Sequence, residues 1–446
     1  MLPQHNQGVS SMKPKFYVPA CLRDFQGFYP RDIKDFRSEK RTECYLEQNA
    51  ENTRLCHVCK NELGSYHDSH VIKAKHLQMC GWSTEVIFTR EKRHCSTCKK
   101  VRSQHISWLS PTSPHVTLDL AWWLSKLTEV TSVLAVSRLE SLDKKTCYQI
   151  DKYILRRLVQ GYKIPEITKI AVDEVYARGP KQKKEGETRD DLFLTVIADL
   201  KTGKVIWVSQ SRRKEALDEF FELIGSESCE KIEVVCTDQH ESYSASVKEY
   251  CKNAKIVFDR FHLVQNFNEA LNNERKDELG KMDYTYGMGK EMGDLMNGKY
   301  RFVFLRKEEN RSKRDRRHID EVSRINSRMG KLEIIKEYFH KMFDCFNEEE
   351  AQEMLQTCYE WAFQIKATHL MKYLWGLLEE ERLWNYFKYK VTTSLSEGIN
   401  RVIKGLKWQA YGYKDMEYFK LKIMQKAGYL NSNYHKNEIG LIWSSH

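Results

Sequence analysis

A mixed α/β fold in several domains is what this sequence predicts, on three observations. Short apolar runs rich in β-branched residues end on carboxylates, as in Ile170-Ala171-Val172-Asp173 and Val234-Val235-Cys236-Thr237-Asp238. Such runs read as buried strands whose acids emerge at the rim of a sheet, where ligands usually bind. Upstream stand two Cys-x-x-Cys pairs, Cys56/Cys59 and Cys95/Cys98. Downstream, a polar, charge-rich segment from about 276 to 388 reads as helical and separates these strands from a last patterned stretch around Glu397. At 446 residues the chain has room for two or three domains with sizeable cores.

The charge balance adds a partner class. Lys and Arg number 73 against 62 Asp and Glu, a net +11, with 12% aromatic residues. This suits nucleic acid, although a merely soluble basic protein has the same balance. No apolar run is long enough to span a bilayer; the closest, Leu118 to Leu127, is interrupted by Ser125 and Lys126. No charged-then-apolar leader opens the chain. The 13 cysteines are therefore expected in a reducing compartment, as metal ligands or core residues rather than disulfides.

Residues 1–40 are weakly patterned and read as a tail with a few docking aromatics, Phe16, Tyr17, Phe25, Phe28 and Tyr29. Residues 41–108 read as a zinc-binding domain. Two residues between thiols let both sulfurs reach one tetrahedral ion, and the second pair closes the shell around one structural zinc. His57, His67, His70, His76, His94 and Cys80 lie nearby as competing ligands. Four ordinary buried cysteines are the plain alternative. Lys92, Arg93, Lys99, Lys100 and Arg102 make the second knuckle a candidate phosphate-contacting surface.

Residues 109–163 follow the breaks at Ser110-Pro111 and Ser113-Pro114. Helices are expected over Leu118–Lys126, Thr131–Leu139 and Lys144–Leu158. The spacing of Ala135, Leu142, Cys147 and Ile150 resembles a helix-turn-helix, with Ala135 under the turn. Its free face would carry Lys144, Lys145, Tyr148, Gln149 and Lys152 toward DNA. No glycine stands in the turn, and a plain helical linker is the rival.

From 164 to 275 the order is strand, hairpin, helix, strand, helix, strand: Glu166–Asp173, Leu192–Asp199, Val205–Val208, Glu215–Ile224, Lys231–Asp238, Ser242–Cys251 and Lys255–Asp259. This is the ribonuclease-H-like order, in which the first and fourth strands lie side by side and bring Asp173 and Asp238 to one rim. Residues 276–388 read as a helical insertion domain, and 389–446 as the second part of the core. There Ser394 and Glu397 form a capping box, a purely local reason for Glu397. Yet Glu397, Arg401, Lys404 and Trp408 share one helical face, which suits a metal beside a DNA backbone, with Trp408 free to stack. Asp173, Asp238 and Glu397 together offer oxygen ligands for two magnesium (or manganese) ions and phosphodiester chemistry.

At this point the chain resembles the bacterial insertion-sequence transposases of the DDE type, ISL-three family. The likeness runs from about Arg41 onward. It rests on the two knuckles, on Ala171-Val172-Asp173-Glu174, and on Thr237-Asp238 with Tyr243 leading to Phe258-Asp259-Arg260-Phe261-His262. It rests also on Glu397-Gly398-Ile399-Asn400-Arg401 with Ile403-Lys404 and then Ala410-Tyr411-Gly412-Tyr413. The resemblance implies that Asp173, Asp238 and Glu397 are a catalytic triad. It also implies that Asp259 and His262, an Asp-x-x-His signature, support it. It further implies binding to terminal inverted repeats, assembly as a dimer or larger, DNA nicking, strand transfer into target DNA, and a place in the bacterial cytoplasm with the nucleoid. In the first knuckle, His57 and Lys60 stand where the family usually has Pro and Gly. Two rivals remain: a catalytically inactive DNA-binding regulator derived from such an enzyme, and a ribonuclease-H-like nuclease without strand transfer.

Overall fold

Strand structure begins earlier than the sequence pattern suggests. Phe28–Phe36 (β1) pairs antiparallel with Arg41–Gln48 (β2), so the segment expected to be a tail to residue 40 is sheet from Phe28. β1 is the edge of its sheet and mostly exposed, and its charged residues hid it from pattern reading. The computed structural model describes residues 25–430, apart from 50, 51, 53, 184, 240, 282–295, 299, 390, 392 and 393. Phe16 and Tyr17 lie outside the described residues. The chain divides into two compact units, one holding the described residues up to Tyr162 and one spanning Lys163–Tyr429.

In the first unit a long hairpin, Tyr66–Met79 (β3) and Trp82–Cys95 (β4), extends the sheet. Lys100–Ser103 (β5) pairs with β4, and Leu109–Ser110 (β6) and Ser113–Thr117 (β7) complete the order β1-β2-β4-β3-β7-β6. One face is apolar: Phe28, Ile72, Ala74, Val86 and Phe88 are buried. Phe25, Phe28 and Phe88 meet Trp108 edge-on at 4.9, 5.5 and 4.8 Å.

Three helices follow, each opened by a side-chain cap: Leu118–Val130 (α1) by Thr117, Val133–Leu139 (α2) by Ser132, and Lys144–Gly161 (α3) by Asp143. Cys147 and Ile150 are buried as expected. Ala135 is not under the turn: it is exposed, and Val136 and Ser137 are the buried residues of α2. The position a glycine would normally take is filled by Ser141, left-handed at φ +49°.

The second unit is built on Lys169–Tyr176 (β8), Phe193–Asp199 (β9), Val205–Gln210 (β10), Val234–Thr237 (β11) and Lys255–Phe258 (β12). The sheet order is β10-β9-β8-β11-β12, antiparallel through β8 and parallel from β8 to β12. Lys214–Glu230 (α4) and Glu241–Tyr250 (α5) place Leu217, Phe220, Phe221, Tyr243 and Val247 in one core with Ile170, Val172, Val235 and Ile256. Val234, Cys236 and Val257, of opposite parity to Val235 and Ile256, join the core of the helical layer, as does Phe258 at the end of β12.

That layer starts with Arg260–Gly280 (α6), which runs straight through the expected boundary at 276. It continues as Tyr300–Leu305 (α7), Lys313–Ile325 (α8), Ser327–Met342 (α9), Glu348–Gln364 (α10), Thr368–Leu378 (α11) and Glu381–Tyr389 (α12). Its apolar core is continuous with the sheet, so the segment expected as a separate inserted domain lies within the same unit. Trp384 is buried there, whereas Trp375 is half exposed. Ser394–Gln409 (α13) and Met416–Ala427 (α14) close the unit. Among the described residues no helix is long and apolar enough to cross a membrane.

Candidate active site and candidate zinc centre

The parallel ladder sets the first two acids. Cys236 pairs with Ala171, and carrying that register two residues onward puts Asp238 level with Asp173. Thr237 pairs with Phe258, so one further step puts Asp259 level with Asp238. Three aspartates thus lie in one row across adjacent chains, where strand spacing is about 4.8 Å. Asp173 is not the end of its strand as expected, because β8 continues to Tyr176 against β9. It lies just past the pairing with β11, which stops at Ala171 and leaves Asp173 open on that side.

The surroundings of Asp173 are polar and specific. Its Oδ1 accepts from the Glu174 amide at 2.7 Å, and its Oδ2 accepts from Asn400 Nδ2 at 2.7 Å. His262 Nε2 stands 3.7 Å from Asp173 Oδ1 and 3.9 Å from Asp259 Oδ2. Asp259 also caps α6, accepting from the Phe261 amide at 2.8 Å. Burial works against a charge on His262, but the hydrogen bond to Asp173 and the charges of Asp259, Asp173 and Asp238 outweigh it and raise its pKa.

Glu174 and Asp199 have other work. Glu174 pairs with Arg212 at 3.1 Å, and Asp199 accepts from the Lys201 and Thr202 amides in the β9–β10 turn.

Glu397 is brought near but not into the row. It is exposed and pairs with Arg401 at 2.6 Å, one turn along α13. Asn400, on the adjoining turn of that helix, holds Asp173, and residues three apart on a helix are neighbours. The acids Asp173, Asp238 and Glu397 do not converge at ligand distance of one point in this arrangement. Their all-oxygen chemistry fits magnesium or manganese. The side chain of Ser394, the expected capping partner, lies outside the described residues. Ile399, Ile403 and Leu406 bury the inner face of α13, while Arg401, Lys404 and Trp408 are exposed.

In the first unit, the Sγ atoms of Cys56, Cys59, Cys95 and Cys98 all lie within 4.8 Å of one another. Sulfur pairs stand at 3.9 Å (Cys56–Cys98) and 3.5 Å (Cys59–Cys95). Tetrahedral Zn–S bonds of about 2.3 Å require an S–S edge near ~3.8 Å. The Val58 and Cys98 amides point at Cys56 and Cys95 Sγ, both at 3.4 Å. The Cys98 amide is the main cause that draws the Cys95 thiol below its usual range. The set is compatible with zinc. Lys60 and Lys99 follow the knuckles in left-handed backbone, φ +61° and +51°, so a lysine fills the place where glycine is the default. The nearby histidines are not part of this cluster; His76, for one, is buried against Thr117 at 2.9 Å. Lys92 pairs with Asp68 and Arg93 with Glu91, which leaves Lys99 and Lys100 exposed.

On α3, Lys144, Lys145 and Gln149 are exposed, and Tyr148 and Lys152 are half-buried. These five lie away from buried Cys147, Ile150, Asp151 and Ile154. Sequence reasoning quoted Asn400 within a motif but gave it no role. Its signal was a lone amide one turn after Glu397.

Comparison with known proteins finds relatives over most of the chain. A DDE-type family model described as a transposase, ISL-three, matches residues 170–423. The transposase for insertion sequence element IS1001 of Bordetella parapertussis is 26% identical over 387 residues, covering 85% of this chain and 90% of that protein. The transposase for insertion sequence element IS1557 of Mycobacterium tuberculosis is 24% identical over 191 residues, covering 39% of this chain and 43% of that protein.

Proposed function

This chain belongs to the ISL-three family of DDE transposases, and on that premise we propose that Asp173, Asp238 and Glu397 are the catalytic carboxylates of a ribonuclease-H-like core. The observation that carries the reading is the Asn400–Asp173 hydrogen bond, which ties the helix bearing Glu397 to the strand bearing Asp173. Two magnesium or manganese ions held by these carboxylates would lower the pKa of an attacking water or 3′-hydroxyl and stabilise the leaving oxygen. The protein's own part is to hold the acids on rigid elements and to orient DNA against them. Asn400 and the Glu174 amide fix the Asp173 carboxylate, and Asp259 with His262 supports the same rim. Arg401 and Lys404 neutralise phosphates beside Glu397, and Trp408 stacks on a base.

DNA is the substrate class of the family. In the finer reading the substrate is the terminal inverted repeats of the chain's own insertion sequence. Lys144, Lys145, Tyr148, Gln149 and Lys152 on α3 would read those repeats, beside a zinc site at Cys56, Cys59, Cys95 and Cys98. The chain would act as a dimer or larger assembly that pairs two ends, in the bacterial cytoplasm with the nucleoid.

The test is cleavage of end DNA with magnesium or manganese, comparing wild type with Glu397→Gln. The variant is expected to bind the end and fail to nick it. Equal cutting by both proteins would remove Glu397 from the triad. A wild type that binds but never cuts would favour the regulator, and one that nicks without joining would favour the nuclease.

A further inference from the structure

The end of α13 presents two large aromatic side chains to solvent. Trp408 is 82% exposed and Tyr411 is 96% exposed. Neither side chain has a hydrogen bond or ring contact among the described residues. Tyr411 also sits in left-handed backbone at φ +54°, followed by Gly412 at φ +95°. The turn is fixed by bonds from the Tyr411 amide to the Trp408 carbonyl at 3.1 Å and from the Gly412 amide to the Lys407 carbonyl at 2.8 Å. Just past a helix end, glycine is the residue that adopts this conformation without strain. Tyrosine there gains no packing and bears the strain of the left-handed backbone. A side chain that neither packs nor suits its backbone is placed for something outside the protein.

The surroundings say what that is. Arg401 and Lys404 are exposed on the same helix, which is pinned beneath by Ile403 and Leu406. Lys407 donates to the Tyr176 carbonyl at 3.1 Å and holds the helix end to β8. Cations interleaved with open aromatic faces suit a nucleic-acid strand whose bases are unstacked. Trp408 lies about 16 Å of helix rise beyond Glu397, the length of roughly five base pairs.

We propose that Trp408 and Tyr411 form a stacking platform for unpaired DNA bases about five nucleotides from the phosphate on which the carboxylates act. This rests on the transposase reading of the Asp173–Glu397 site. The platform favours DNA that is frayed or distorted at that distance over fully paired DNA.

The experiment compares end duplexes that are fully paired or carry an unpaired 2-aminopurine five nucleotides from the cleavage point. Affinity and 2-aminopurine quenching are measured for wild type, Tyr411→Gly and Tyr411→Phe. Wild type is expected to prefer the unpaired duplex and quench its fluorescence. Tyr411→Gly is expected to lower the unpaired-to-paired affinity ratio about tenfold and to relieve quenching, while Tyr411→Phe restores both. Glycine suits this backbone, so Tyr411→Gly is expected to melt no lower than wild type, which excludes misfolding as the cause. An unchanged ratio in Tyr411→Gly, with wild type still cutting ends, overturns the platform and leaves the transposase reading standing. A wild type that binds neither duplex overturns both. A Tyr411→Gly effect on sedimentation alone assigns the aromatics to contact between copies of the chain and overturns the DNA assignment.

Discussion

At the scale of single residues, Asn400 ties α13 to the strand bearing Asp173. Its amide donates to Asp173 Oδ2 at 2.7 Å, and no other described contact reaches from α13 to that carboxylate. Hydrogen bonds to charged groups contribute about 1.5–3 kcal/mol. Asn400→Ala is therefore expected to slow single-turnover nicking roughly ten- to hundredfold while end binding is retained. Asn400→Asp, which sets a like charge against Asp173, is expected to be slower still at low magnesium and to recover as magnesium rises. Nicking rates across a magnesium titration check both. The buried strands beside Asp173 and Asp238 were legible because apolar, β-branched runs mark them. Asn400 was not, because sequence spacing carries no register between a helix and a strand 227 residues earlier. That Glu397 and Arg401, four residues apart, share one face of a helix was legible for the opposite reason.

At the scale of elements, β2 shows how a sheet face depends on one charge. Glu43 is buried on β2, between Arg41 and Lys73, and accepts from Lys73 at 2.8 Å and from Tyr45 at 2.6 Å. Burial pushes its pKa up, but these bonds and the Arg41 contact win and hold it at about 2 against an ordinary 4.5. Because the folded value is the lower one, its stabilisation is complete above the ordinary value and lost as pH falls toward the folded one. The contribution is on the order of 3 kcal/mol. Glu43→Gln is expected to melt lower than wild type at pH 7, with the gap closing between pH 4.5 and 2; thermal melts across that range check it. The helices α1–α3 were legible to within a few residues because Ser132 and Asp143 announce their starts. The edge strand β1 was not, since its run of charge reads as loop. Ala135 was misplaced because α2 is only Val133–Leu139 and its buried face is set by what it packs on, not by its own period.

At the scale of the whole molecule, the chain divides at Tyr162–Lys163. The continuity of the helical layer with the sheet was not legible. A polar, charge-rich helix reads the same from sequence whether it packs on its own domain or on a neighbouring sheet, and only contacts such as Cys236 and Phe258 in one core with Leu263 and Phe267 settle it. The two units make metal removal a selective experiment. The four thiols lie in the first unit: Cys95 at the end of β4, Cys98 in the turn before β5, and Cys56 and Cys59 in the segment between β2 and β3. A strong zinc chelator, or Cys95→Ser, is expected to lower and broaden the first unit's unfolding transition and leave that of Lys163–Tyr429 in place. Differential scanning calorimetry of the full chain reads both transitions.

The 227-residue span between Asp173 and Asn400 has a consequence in time. A ribosome adding about 5–20 residues per second needs roughly 10–50 seconds to pass from β8 to α13. Throughout that interval the residues up to Tyr162 are already made and the strand bearing Asp173 lacks α13. On the proposed function, the segment that would read DNA ends is made before the candidate site is joined. On the same proposed function, a product that stops short of α13 is expected to occupy DNA ends without cutting them, a brake made from the same message.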